Sequence, residues 1–265
     1  MIEKKMIPFN KFYKTFNILS LLLILISLLL LIFKGLNYGV DFKGGTLIEI
    51  RSLDNTLSIS DLRKSFNNLD LGDVSVKKFG KENDYVVKFE KKQSIEENFI
   101  ENIKIELTND VGKVFEFRRV ESVGPKVSSE LLKSGVIAIG LSLGAMLIYI
   151  WIRFEWQFSL GAIAALFHDV IITLGFFSFL SLEINLSIVA AVLTIVGYSM
   201  NDTVVIFDRV RENLKKFSDI KIYEITNISI NETLSRTIIT SATTLLALLS
   251  IFIFGGAILK GFSFA

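Results

Sequence analysis

The stretch LSIVAAVLTIVGYSMNDTVVIFDRVR, residues 186–211, decides how the rest of the chain is read. It is apolar over the length that crosses a bilayer, about 20 residues, yet it carries an acidic side chain, Asp202, inside it. A carboxylate in hydrocarbon costs roughly 2.5–3.5 kcal/mol on insertion scales, so such a residue has a partner or a use. At about 100° per residue, Ser187, Ala191, Ile195 and Tyr198 share the Asp202 face. That small, partly polar stripe suits close helix packing or a narrow wet path rather than lipid.

Working outward, the span predicted over 186–207 is joined by apolar runs at 16–33, 136–152, 158–182 and 238–258, which makes this a polytopic α-helical membrane protein. The composition agrees, with 51% apolar residues and 2 prolines among 265 residues. A formal net charge of +2 gives no argument for nucleic acid as a partner; the lipid bilayer is the expected one. The absence of cysteine excludes disulfides and thiolate-held metals, and a single histidine excludes a multi-histidine site, so neither metal nor cofactor is expected. Lys4, Lys5, Lys11 and Lys14 precede the first run as in an export signal, but that run is longer than a signal core and ends in Phe33, Lys34 and Gly35 with no small-residue cleavage site. It is read as a retained first span.

Lysine and arginine in the flanks set the orientation. The N-terminal lysines, Arg153 between spans two and three, and the loop after span four with Arg209, Arg211, Lys215, Lys216, Lys221 and Arg236 all fall on one side, the cytoplasmic one. The expected division is therefore 1–34 as cytoplasmic N-terminus and first span, 35–132 as an external, periplasmic domain, and 133–265 as the remaining spans, with a tight turn near Glu183. Within the external domain, 46–51 alternates as a strand, 60–69 has helical spacing with Ser60 as its N-cap, and 74–79 and 85–90 form a hairpin. A helix over 95–107 carries Ile95, Phe99, Ile103 and Leu107 on one face, and 114–120 alternates again. The order βαββαβ is the ferredoxin-like arrangement, an α+β fold that by itself names no function.

Two charges could answer Asp202. Arg209 lies on the same helix face, but seven residues put it about 10 Å away along the axis. Arg236 enters span five from the cytoplasmic side with Thr240, Thr243, Ala247 and Ser250 on its face, and it reads either as the counter-charge or as a topology anchor that snorkels to the surface. Burial raises the pKa of an aspartate and a nearby arginine lowers it, so a pair that moves could load and release a proton. His168 and Asp169 sit mid-way along span three; as neighbours they point about 100° apart, which argues against one shared site and for interhelical hydrogen bonds over a relay role. Gly44 and Gly45, in YGVDFKGGT, lack a phosphate-loop signature and are read as the tight turn into the first strand.

Five blocks together resemble the SecD/SecF family of the bacterial Sec translocase, itself related to the RND superfamily. They are YGVDFKGGT, ESVGPKVSSELLKSG, FHDVIITLGFF, INLSIVAAVLTIVGYSMNDTVVIFDRVREN and LSRTIITSATTLLALLSIFIFGG, in order and covering most of the chain. The resemblance implies a SecF-type subunit in the bacterial inner membrane that has no bond-making active site and acts with SecD to use the proton-motive force late in preprotein translocation. It implies as partners SecD, the SecYEG channel, with YajC and YidC as further candidates, and the preprotein. It assigns the proton path to Asp202, Arg236 and Thr240; His168, Asp169 and Thr243, read from their own place within the spans, are accessory intramembrane polar candidates. Family members have six spans, whereas Phe264 and Ala265 fall where the sixth would begin, so five are expected here. Two rival classes remain: half of an RND-type exporter, which calls for a larger external region, and a passive scaffold in which Asp202 is structural.

Overall fold

The computed structural model describes residues 6–53, 58–69, 71–78, 83–90, 99–111, 115–217 and 219–265, and it divides into two units, 38–136 and 1–37 together with 137–265. The first unit holds a four-stranded sheet of β1 (Gly45–Ser52), β2 (Val74–Lys78), β3 (Asp84–Phe89) and β4 (Phe115–Val123), antiparallel throughout in the order β2-β3-β1-β4. Two helices complete it, here named α2 (Ile59–Asn68) and α3 (Phe99–Val111), so the order along the chain is βαββαβ. Residues 79–82, 91–98 and 112–114, which carry the predicted hairpin turn, the start of the predicted second helix with Ile95, and the start of the last strand, lie outside the described residues.

Alternation builds the core of this unit. Ile48, Ile50, Val76, Tyr85, Val87 and Phe89 come from one face of the sheet and meet Leu62, Phe66, Ile103 and Leu107 from the helices. The opposite face is charged, with Arg51 forming a two-pronged ion pair to Asp84 (Nε to Oδ1 2.5 Å, Nη2 to Oδ2 2.7 Å) and Arg119 reaching Glu49 at 3.2 Å. The N-cap of α2 is Ser58 rather than the expected Ser60. Ser58 holds extended backbone angles and its hydroxyl accepts from the Ser60 amide at 3.2 Å, so the helix starts earlier than its apolar spacing indicates.

Gly44 and Gly45 occupy positive φ, 78° and 113°, where the chain enters β1. A Cβ on Gly45 would sit 2.7 Å from the Phe89 carbonyl oxygen of the adjoining strand, so both the backbone angle and the space demand glycine there.

Helices long and apolar enough to cross a membrane are α1 (Tyr13–Phe33), α5 (Trp156–Leu180), α6 (Leu186–Lys216) and α7 (Ile222–Phe254) of the second unit, and α4 (Pro125–Arg153), whose first residues, to Val136, belong to the first unit. The chain is thus a multi-pass α-helical membrane protein with an α+β domain. A short α8 (Gly256–Phe264) follows, so the helix break at Gly255 falls inside the run predicted as span five. Helix α5 stops at Ser181, which takes a left-handed φ of 53°, and Leu182 returns its amide to the Phe177 carbonyl at 3.0 Å. After the turn, Asn185 caps α6 by accepting from the Ile188 amide at 3.1 Å. The stretch read as a basic loop from Arg209 is mostly helical: α6 runs on to Lys216 and α7 begins at Ile222, so a helical hairpin replaces a long loop.

Candidate functional site

Helix α6 uses opposite sides for different tasks. Val196 and Met200 are buried with Ala162 and Leu166 of α5 and Ile150 of α4, which fixes α6 against those helices. Tyr198 and Asp202 lie off that seam; the Tyr198 hydroxyl is buried and approaches Thr240, Ser241 and Thr244 of α7 without completing a hydrogen bond among the described residues. Asp202 itself is half-buried.

The register of α6 against α7 is pinned near the closed end of the hairpin. Asn213 Nδ2 donates to Ser229 Oγ at 2.9 Å and to Glu232 Oε2 at 2.7 Å, and Arg209 Nε donates to the same Glu232 oxygen at 2.7 Å. Arg209 also pairs with Glu212 at 2.7 Å, so its guanidinium is committed away from Asp202, and the same-helix pairing weighed from the sequence is not made. Continuing the antiparallel register sets Asp202 level with Thr240, and Arg236 about one turn, roughly 5.4 Å, nearer the hairpin's closed end.

Arg236 is exposed, and among the described residues neither it nor Asp202 has an ion-pair partner. The structure brings the two onto neighbouring helices at similar depth and leaves them apart. Thr240 Oγ1 donates to its own helix, at Arg236 O (3.1 Å) or Thr237 O (3.0 Å), and Thr243 does likewise at Ile239 O and Thr240 O. Each hydroxyl oxygen keeps lone pairs for a further donor. The arrangement is an acid, a guanidinium and a run of hydroxyls on two neighbouring helices.

His168 and Asp169 correct the angular argument made from the sequence. Their side chains meet: His168 Nδ1 lies 2.8 Å from Asp169 Oδ1, and Asp169 Oδ2 accepts from Ser199 Oγ of α6 at 2.5 Å. An angle of about 100° between Cβ directions does not separate two side chains of this reach. The sequence places Tyr198 on the Asp202 face, whereas Ser199 and the Asn213, Ser229 and Glu232 clamp escape that reading. Ser199 could have been found, since it stands three residues before Asp202, within one turn. Among the described residues no three His, Cys, Asp or Glu side chains gather as metal ligands.

Comparison with known proteins bears on the whole chain. The family model for the C-terminal region of the SecD/SecF protein export membrane proteins matches residues 103–265, and that for the SecD/SecF GG motif matches residues 29–52, which include Gly44 and Gly45. The protein translocase subunit SecF of Rickettsia bellii is 47% identical over 96% of this chain and 84% of its own length, and that of Rickettsia felis is 46% identical over 96% and 83%. The crystal structure of SecDF, a translocon-associated membrane protein from Thermus thermophilus, superposes with a TM-score of 0.88 at 32% identity, covering all of this chain and 36% of that one. A second SecDF structure, in a super-membrane-facing form, gives 0.70 at 31% identity over the same shares. This chain therefore spans about a third of the length of those SecDF proteins. With the acid-bearing α6, the glycine turn and the βαββαβ unit all in place, the chain belongs to the SecD/SecF family of protein-export membrane proteins.

Proposed function

We propose that the chain acts as the SecF half of a proton-driven pair with SecD in the bacterial inner membrane, helping the SecYEG channel move preproteins outward late in translocation. YajC and YidC are further partners in this reading. The N-terminus faces the cytoplasm and the βαββαβ unit the periplasm, as the lysine and arginine placement argues. The observation that carries the reading is Asp202, an acid inside a spanning helix, level with Thr240 and one turn from Arg236 on the adjoining helix. Asp202 takes up the proton, Arg236 favours its release when the two helices bring the charges together, and the hydroxyls of Thr240 and Thr243 line the way between. Work comes from the change in α6–α7 packing that accompanies each change of charge.

The test is preprotein translocation into vesicles carrying SecYEG, SecD and the full-length protein, with and without a proton gradient. Asp202→Asn is expected to assemble with SecD and to lose the gradient-stimulated part of transport. Unchanged stimulation would sink the reading and leave Asp202 as a structural residue of a passive scaffold. Arg236→Lys is expected to retain part of the stimulation, because the charge survives on a shorter-reaching, more strongly hydrated group.

A further inference from the structure

We propose that His168, Asp169 and Ser199 form a second proton-holding station beside Asp202, with His168 Nε2 as the atom that gains and loses the proton. The inference rests on the reading above and deepens it. Asp169 spans the gap between two helices, accepting from Ser199 Oγ of α6 on one oxygen and facing His168 Nδ1 on the other at 2.8 Å. A carboxylate so placed keeps a proton on Nδ1 in both charge states, which leaves Nε2 to exchange.

Uptake at Nε2 converts a neutral imidazole beside a carboxylate into an imidazolium–carboxylate pair. Release restores the imidazole, and no other bond changes. Ser199 is three residues from Asp202, a rise of about 4.5 Å along α6, so the station and the acid are one turn apart. Both side chains of the pair are about one-third exposed, 31% for His168 and 34% for Asp169, so this chain does not bury the station completely.

Other charges near it are few. From α6 come Asp202 and the Tyr198 hydroxyl; α1, packed on α5, has no ionisable residue between Lys14 and Lys34, and α4 has none between Lys133 and Tyr149. Helix α8, whose Phe264 meets Phe176 and Phe177 of α5, brings Lys260, and Arg236 stands beyond α6 on α7. Asp202 is thus the carboxyl side chain of α6 that stands within one turn of Ser199.

The chain has a single histidine, so the ¹⁵N-histidine signal that disappears in His168→Gln is the signal of this site. In the full-length protein with SecD in lipid nanodiscs, the expected spectrum is the Nδ1-protonated neutral ring, with the second proton arriving at Nε2 on acidification. Asp169→Asn should mix the tautomers, because an amide can accept from or donate to the ring nitrogen and no longer holds the proton on Nδ1. In the vesicle assay His168→Gln should flatten the pH profile of gradient-stimulated transport. A ring held as the Nε2-protonated tautomer, a ring that does not titrate between about pH 5 and 9, or a His168→Gln profile equal to the wild type overturns the station. Loss of stimulation in Asp202→Asn together with any of these results sinks the station alone, whereas unchanged stimulation in Asp202→Asn sinks the parent reading.

Discussion

Single residues in the βαββαβ unit make predictions of opposite kinds. Gly45→Ala places a methyl 2.7 Å from the Phe89 carbonyl oxygen at a φ of 113°, and should destabilise the unit by about 1–3 kcal/mol or more, read as a lower urea midpoint for protease resistance of residues 38–136. Gly124→Ala, which meets nothing within 4 Å, should stay within about 0.5 kcal/mol. Lys88 titrates: burial, with the charges of Lys77 and Lys43 and against that of Asp41, lowers its pKa from 10.5 to about 8. The unfolded chain therefore holds the extra proton between those values, and stability rises with pH across that window, by on the order of 1 kcal/mol after screening of a partly exposed group. Lys88→Met should flatten this rise, as measured by urea midpoints from pH 7 upward. Residue types were legible at these places and partners were not: Gly44 and Gly45 announced a turn, but which carbonyl forbids a side chain depends on strand register. For the same reason, helical angles read from Cβ directions separated His168 from Asp169, while the rotamers join them.

At the scale of elements, periodicity located the strands and spanning helices to within a few residues where apolar spacing ends at a turn. It misplaced the inner ends of α6 and α7, and the start of α4, expected at 136 and found at Pro125, where polar residues continue the helix. The inner ends of α6 and α7 are held by Asn213, Ser229, Arg209 and Glu232 across the hairpin, and contacts between helices leave no hydropathy signature. Elsewhere the fit between elements rests on missing atoms. A Cβ on Gly175 of α5 would lie 2.8 Å from the Ser27 Cα of α1, so these helices touch backbone to backbone. Gly175→Val should cost about 1–3 kcal/mol through overpacking, seen as a lower melting temperature in detergent. Gly175→Ala should cost less when combined with Ser27→Gly, because the exchange removes the serine side chain that the new methyl meets.

For the whole molecule, the two units are joined by two stretches of chain, one leaving Asn37 and the other inside α4 at the boundary between Val136 and Ile137. The sequence sets its expected boundaries, after 34 and after 132, by the change from apolar runs to alternating strands. What it could not supply is how the first stretch is secured. Ser178 Oγ of α5 can donate to the Gly35 carbonyl at 2.7 Å or the Leu30 carbonyl at 3.3 Å, Lys34 Nζ donates to Phe179 O at 2.7 Å, and Asn37 Nδ2 donates to Ser181 O at 3.1 Å. These bonds rivet the last turn of α1, and the residues just after it, to the last turn of α5. A pull on the chain at Asn37 is consequently borne by α5 together with α1 rather than dissipated in a free tether. The helix that shares that load is the one that carries His168 and Asp169.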